Sequence, residues 1–582
     1  MSAEVARKGA RSAAETPELP RWPGRRTVLS CCVVAAVAVA LDAYFSAQEG
    51  LLSRAPDYDG VSYLLTARSA LHLLRALHLR TGLGELNGSI APLWISAVAF
   101  QQFIFGDGQW QAFTARFWAM APLLTLVYWI VRARGHRSLA ITAVSLTALL
   151  PVASASVRAS SWEFVTGQLN QGVDWGLEDL RPDFFAIVLV LCSIVPLAEH
   201  YRAPRRSTYL VSAAFAAAAV LAKPSTAPIG LVAWGLTLGV IWVLNRGRRG
   251  ITRLNALAVG LLAVLVSPWA VKGGVSGSIS RYIEASGAFR ATYAANLNLP
   301  DTIGYFLVQI PTQLGHIEAW VVIAGSVLLT VAMLRGRLEV SEWIYGSLFF
   351  LFYATLTVSP NKNVNVGMWI TLPLWIFFLA GASRLASARW PATVIRASPY
   401  VLAATGVYVL AIYGLGAFAL ANWPANEQRS NAQQLTVTTE LAQELARYVS
   451  VDQCFAYAPG PGWPASLEYL LTDSNGRAPA STPVDVDPRS TTISDYVAEA
   501  SQCPAVIAYR EDILQVAQVF IAFPVRQPYL RAVAEWVRSP GSGYYLDRSW
   551  HFSDLAPFDA HTLGRFHGVS LTADLYIRTQ GK

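Results

Sequence analysis

Two carboxylates stand close together in the stretch Arg54-Ala-Pro-Asp57-Tyr58-Asp59-Gly60-Val-Ser-Tyr63, just after the first long apolar run of the chain. A carboxylate at the mouth of a membrane-embedded cavity suits general-base work. It takes the proton of an acceptor hydroxyl as that oxygen attacks an electrophilic sugar carbon. Burial near lipid raises its pKa toward a useful value. A plain structural role competes, because either Asp57 or Asp59 can cap the helix expected over 61–79. Residues two apart on a helix face different directions, so one can cap while the other reacts.

Further ionisable groups fall at the edges of other apolar runs: Glu85, Arg116, Glu163, Arg181, Asp183, Lys223, Lys272 and Lys362. Cations there can hold a phosphate, and the competing roles are interfacial anchoring and snorkelling. Asp183 and Arg181 can also simply pair with each other. Glu85, Glu163 and His316 are conceivable metal ligands from separate loops. A lone His after a Gly is more often solvated, so no metal is assigned and a divalent ion is left open as a cofactor.

These groups need a scaffold, and the composition says which kind. The chain has 582 residues, 54% hydrophobic and only 14% charged. A soluble chain carries about a quarter charged residues, so lipid is part of this protein's solvent. The net charge of +8 does not mark a nucleic-acid partner, because the Arg residues sit in short clusters between apolar runs. The 19 Trp suit anchoring at the membrane interface.

Apolar runs of spanning length fall near 27–46, 110–131, 138–155, 182–198, 207–222, 227–244, 253–271, 317–334, 342–358, 364–383 and 398–421. They predict an α-helical polytopic membrane protein with about eleven transmembrane helices. Residues 1–26 are polar and basic and read as a disordered cytoplasmic arm. The run at 91–105 decides the orientation of everything after it. If it lies flat, as an outer juxtamembrane helix within 55–109, all the Arg clusters face the cytoplasm; if it spans, every cluster after the first lands outside. The flat arrangement puts the unusual charged groups, and the C-terminal segment, on the extracytoplasmic side.

The membrane domain then covers 27–423, and 424–582 has ordinary soluble character. Helical spacing over 438–449 and short apolar strands at 454–457 and 505–509 predict an α/β domain. Cys454 and Cys503 are the only cysteines in that segment. In an oxidising compartment they are expected to form a disulfide, the competing state being two buried thiols.

Taken in order, the residues resemble a family. Asp59-x-x-x-Tyr63, then Asn87-Gly-Ser-Ile-Ala-Pro92-Leu93-Trp94, then Phe105-Gly106-Asp107, then Arg116 at the head of a span, look like the opening of the GT-C superfamily. These are polyprenyl-phosphate-sugar-dependent glycosyltransferases, among them the protein O-mannosyltransferases and the lipid A aminoarabinose transferase. Arg181-Pro182-Asp183 and Leu221-Ala222-Lys223-Pro224 are similar to later motifs of the group. Gly60 stands where the family usually has a second acid, and Ala91-Pro92 replaces a Pro-Pro pair. The stretch Asn361-Lys362-Asn363 lacks an Arg-Tyr often found there.

The resemblance implies transfer of a monosaccharide from a polyprenyl-phosphate donor to the hydroxyl of a glycan, lipid or protein acceptor. Asp59 would be the base, with Asp57 in reserve. Lys223, Arg116 and Arg181 would hold the donor phosphate, and Tyr63, Asp183, Glu85 and Lys362 would contact substrate. The expected setting is a bacterial inner membrane, with membrane lipids around the protein. A lipid-linked-sugar flippase, an oligosaccharide ligase and a non-catalytic scaffold remain as alternatives.

Overall fold

A computed structural model describes residues 22–48, 58–89, 91–106, 108–154, 182–225, 227–246, 248, 250–271, 298–359, 364–389, 391–421, 425–457, 464–472, 477–481, 491–510, 527–552 and 571–579. Asp57, Asp107, Glu163, Arg181, Lys272 and Lys362 lie outside them. The helices of the membrane part are α1 (Arg25–Gln48), α2 (Tyr58–Arg75), α3 (Leu79–Gly88), α4 (Pro92–Phe105), α5 (Gln109–Phe113), α6 (Phe117–Arg134) and α7 (Arg137–Ala148). They continue as α8 (Asp183–Glu199), α9 (Arg206–Ala222), α10 (Ala227–Leu244), α11 (Ile251–Trp269), α12 (Leu299–Gly304), α13 (Ile310–Leu314), α14 (His316–Leu334), α15 (Val340–Val358), α16 (Met368–Arg389) and α17 (Pro391–Ala421).

Each of the eleven expected runs coincides with a helix. Length and apolarity nevertheless qualify only seven of the described helices to cross a membrane, which is enough for a multi-pass membrane protein. The count of eleven is therefore not reproduced, and the reasons are local. α7 stops after 12 residues because Pro151 cannot continue a helix. α8 and α9 reach 17 residues each. α15 is long enough, but Glu342 and several Ser and Thr dilute its hydropathy. The 91–105 run is the 14-residue α4, short for a span.

α8 sits at the centre, with all of its residues buried. Helices hydrophobic on every side belong inside a bundle, and α6, α9, α10 and α16 pack around this one. One end of the bundle is tied by charge. Arg134, at the last turn of α6, uses all five N–H donors: Glu342 (2.6 Å), Glu199 (2.5 and 3.0 Å), Ser341 Oγ (2.9 Å) and the Ile130 carbonyl (3.0 Å). Glu342 also accepts from Arg384 of α16 at 2.9 Å, and its other oxygen closes a capping box with Glu339 at the start of α15. Four helices are thus joined through one buried network.

The C-terminal part opens with α18 (Ala425–Leu445) and contains β1 (Cys454–Tyr457), α19 (Pro464–Leu470), β2 (Ala480–Ser481), α20 (Ile493–Ala500), β3 (Ala505–Tyr509), α21 (Gln527–Arg538), β4 (Tyr544–Phe552) and β5 (Leu571–Arg578). The five strands form one mixed sheet in the order β2-β1-β3-β5-β4, parallel among the first three and antiparallel beyond. Both faces of β3 are covered, because successive side chains point to opposite sides. Ala505, Ile507 and Tyr509 join the core beneath α18, while Val506 and Ala508 join the one beneath α20 and α21. A disulfide links Cys454 at the start of β1 to Cys503 just before β3, with Cα atoms 5.0 Å apart. The remaining cysteines, Cys31, Cys32 and Cys192, are free thiols in membrane helices.

Candidate active site at the end of the bundle facing the C-terminal domain

The C-terminal domain meets the bundle at α2, the helix that contains Asp59. α19 packs against α2, and the Arg68 guanidinium lies 5.4 Å over the Tyr469 ring. The end of the bundle beneath this contact is here termed outer, and the Arg134 network marks the inner end.

α2 begins at Tyr58, so Asp59 occupies its first turn, one turn before Tyr63. Tyr63, Leu64, Ala67, Ala70 and Leu71 are buried against neighbouring helices, which fixes the helix in place. The Ser69 hydroxyl donates to both carboxylate oxygens of Glu85, at 2.9 and 3.1 Å, and so pins α3 to α2. Glu85 is thereby held in position and half-buried. Ser69 carried no signal in the sequence, being one serine on a polar helix face.

Behind these helices lies an ion pair whose carboxylate is buried and whose ammonium is partly exposed. Asp183 is the first residue of α8, where a negative charge meets the positive end of the helix dipole. Because α8 is central, Asp183 is 1% exposed. Lys223 follows the last residue of α9, and its ammonium donates to Asp183 Oδ2. The second oxygen, Oδ1, is buried with no hydrogen-bond partner among the described residues. A buried carboxylate with one oxygen unmatched is costly, so the arrangement holds unused capacity to bind a polar group. The sequence offered Arg181 as one partner for Asp183; Arg181 lies outside the described residues, and the structure brings Lys223 to Asp183.

α4 closes the same end. Trp94 stacks obliquely on Phe185, 5.4 Å between ring centroids, next to the Asp183 turn. Arg116 ends a short 3-10 turn before α6 and is 8% exposed, so it is an interior residue and not a snorkelling one. Among the described residues, no group of three or more His, Cys, Asp or Glu could hold a metal ion. His316 heads α14. The outer end therefore brings together Asp183 and Lys223, with Glu85, Tyr63 and Arg116 on the surrounding helices.

No protein-family model matches the chain, and no curated protein matches it in sequence. Solved structures do match. ArnT from Cupriavidus metallidurans in the apo state superposes with a TM-score of 0.51 at 16% identity, over 83% of this chain and 94% of that one. The same protein bound to undecaprenyl phosphate gives 0.50 at 14% identity, with the same coverage. The Archaeoglobus fulgidus oligosaccharyltransferase in its apo form gives 0.47 at 12% identity, over 92% of this chain and 74% of that one. The two ArnT structures show a shared fold over most of the chain.

Proposed function

We propose, from the GT-C fold that this chain has, that it is a membrane glycosyltransferase moving a monosaccharide from a polyprenyl-phosphate donor to a hydroxyl acceptor. The observation that carries the reading is the Lys223–Asp183 pair, its carboxylate buried and one oxygen unmatched among the described residues, at the end of the bundle where Asp59 heads α2. The undecaprenyl phosphate bound to the ArnT neighbour is the leaving group such a reaction would release.

The donor enters sideways from the bilayer. Its phosphate displaces Asp183 from Lys223, with Arg116 and Arg181 as further cations. Charge-assisted bonds to phosphate offset the charge that builds on the departing oxygen. The acceptor oxygen attacks the anomeric carbon as the bond from that carbon to the phosphate oxygen breaks. Asp59 takes the hydroxyl proton, with Asp57 beside it, while Tyr63, Asp183, Glu85 and Lys362 line the sugar. A divalent metal is not required by these steps. The site faces the extracytoplasmic side of a bacterial inner membrane, with the inner-end Arg clusters toward the cytoplasm.

The test is to incubate purified protein with a panel of polyprenyl-phosphate monosaccharides and follow release of polyprenyl phosphate in the presence of candidate acceptors. Consumption of one donor is the expected result. Folded protein that consumes none of them overturns the reading.

A further inference from the structure

The inner end carries a charged surface that transfer chemistry at the outer end does not use. Two of its loops, 200–205 between α8 and α9 and the one between α10 and α11, of which 245, 246, 248 and 250 are described, are stitched together. Asn245 Nδ2 donates to the Tyr201 carbonyl at 2.8 Å, and Arg248 donates to the Arg202 carbonyl. α9 and α11 pack against each other, and both begin at this surface.

The joined loops and first turns present Arg202, Arg205, Arg206, Arg246, Arg248 and Arg253, all exposed. The sequence contains no Asp or Glu between Glu199 and Glu284. Among the described residues Arg202 alone of the six has an acidic partner, Glu339 at 3.3 Å. No acid pairs with the other five among the described residues. Trp242 stands beside them, 42% exposed, its indole N–H donating to Thr252 Oγ1 at 3.2 Å. An exposed indole held at this level marks the headgroup layer. Below it, α11 buries Ile251, Ala258 and Trp269 and packs Leu254, Leu261, Leu262 and Val266 partly against the bundle, while Val259, Val264 and Leu265 are exposed.

We propose that this surface is a docking site for an anionic phospholipid, its phosphate among Arg205, Arg206 and Arg248 and its acyl chains along α11. Charge complementarity selects the occupant. Five cations with no acidic partner among the described residues, fixed on two joined loops and the helix turns that follow them, fit an anionic lipid and disfavour a zwitterionic one, whose ammonium they repel. The N-terminal dipole ends of α9 and α11 favour an anion here and the C-terminal ends of α8 and α10 at the same loops oppose it, so the arginines set the field.

Purified full-length protein, equilibrated with mixed micelles of phosphatidylglycerol and phosphatidylcholine, is analysed by native mass spectrometry for retained lipid. Wild type is expected to retain phosphatidylglycerol selectively. Each Arg lost should weaken retention about fivefold, so that Arg205→Gln/Arg206→Gln/Arg248→Gln weakens it on the order of a hundredfold. Arg335→Gln/Arg337→Gln, at the same end between α14 and α15, is expected to leave retention unchanged. Equal retention of both lipids, or a triple variant that binds like wild type, overturns the proposal. So does an equal loss in the Arg335/Arg337 variant, which would mean a diffuse field and no site. Arg205→Lys/Arg206→Lys keeps the charge and is expected to keep most of the retention, which separates electrostatics from misfolding.

Discussion

The same bundle buries charge at both ends and treats it in opposite ways. At the inner end, Arg134 has every donor satisfied and Glu342 serves two arginines and a helix cap. At the outer end, Lys223 meets one oxygen of Asp183 while the other oxygen has no partner among the described residues. α8 takes part in both, through Glu199 at its last turn and Asp183 at its first. A complete network resists rearrangement, because removing any member strands a buried charge. An incomplete pair can trade partners when a ligand arrives. The difference separates the part of the bundle that holds shape from the part proposed to bind substrate.

The largest effect is expected from breaking the complete side. Arg134→Met leaves Glu199 and Glu342 buried near each other and should cost up to about 5 kcal/mol, read as a lower thermal midpoint in detergent. Next comes the C-terminal domain. Cys454→Ser/Cys503→Ser removes a cross-link spanning 49 residues, and loop entropy puts the cost at about 4 kcal/mol. Limited proteolysis should show that loss in the C-terminal fragment, with the bundle still protected. Asp183→Asn should cost no more than about 1 kcal/mol, because it removes an ill-matched charge and Lys223 can turn toward solvent. A loss as large as that of Arg134→Met would erase the contrast between the two ends.

The smallest effect concerns the start of α20. The Thr492 hydroxyl at 2.6 Å, and then its backbone N–H at 3.2 Å, hold the Asp495 carboxyl below the usual carboxylate range. A depressed carboxylate adds stability that is complete above its unfolded pKa, about 4, and is lost as pH falls through the lower folded value. Thr492→Val should flatten only that acid limb of the C-terminal domain's stability profile.

Much of this arrangement was legible in the sequence. Cys454 and Cys503 could be paired because no other cysteine lies in their segment, and the apolar runs at 454–457 and 505–509 are strands because both faces of the sheet are covered. The Arg134 network was not legible. Its members are separated by 65 and 208 residues, and Arg134 reads as one of several loop arginines. The spacing of Glu339 and Glu342 before an apolar run was the available signal, as a capping box. Nor does an apolar run show whether it faces protein or lipid: α8 and α11 read alike, yet one is wholly buried and the other mostly bare. The Lys223–Asp183 pair joins two motifs that the sequence kept apart, since the fold alone brings the start of α8 to the end of α9.

The measurement that bears most directly on the outer end as a transfer site is steady-state turnover of the consumed polyprenyl-phosphate sugar by wild type, Asp59→Asn and Lys223→Met. Asp59→Asn should lower kcat at least about a hundredfold with little change in donor KM. Lys223→Met should raise donor KM about tenfold or more, because a charge-assisted phosphate contact is lost. Asp59→Asn protein that turns over at the wild-type rate would contradict the account.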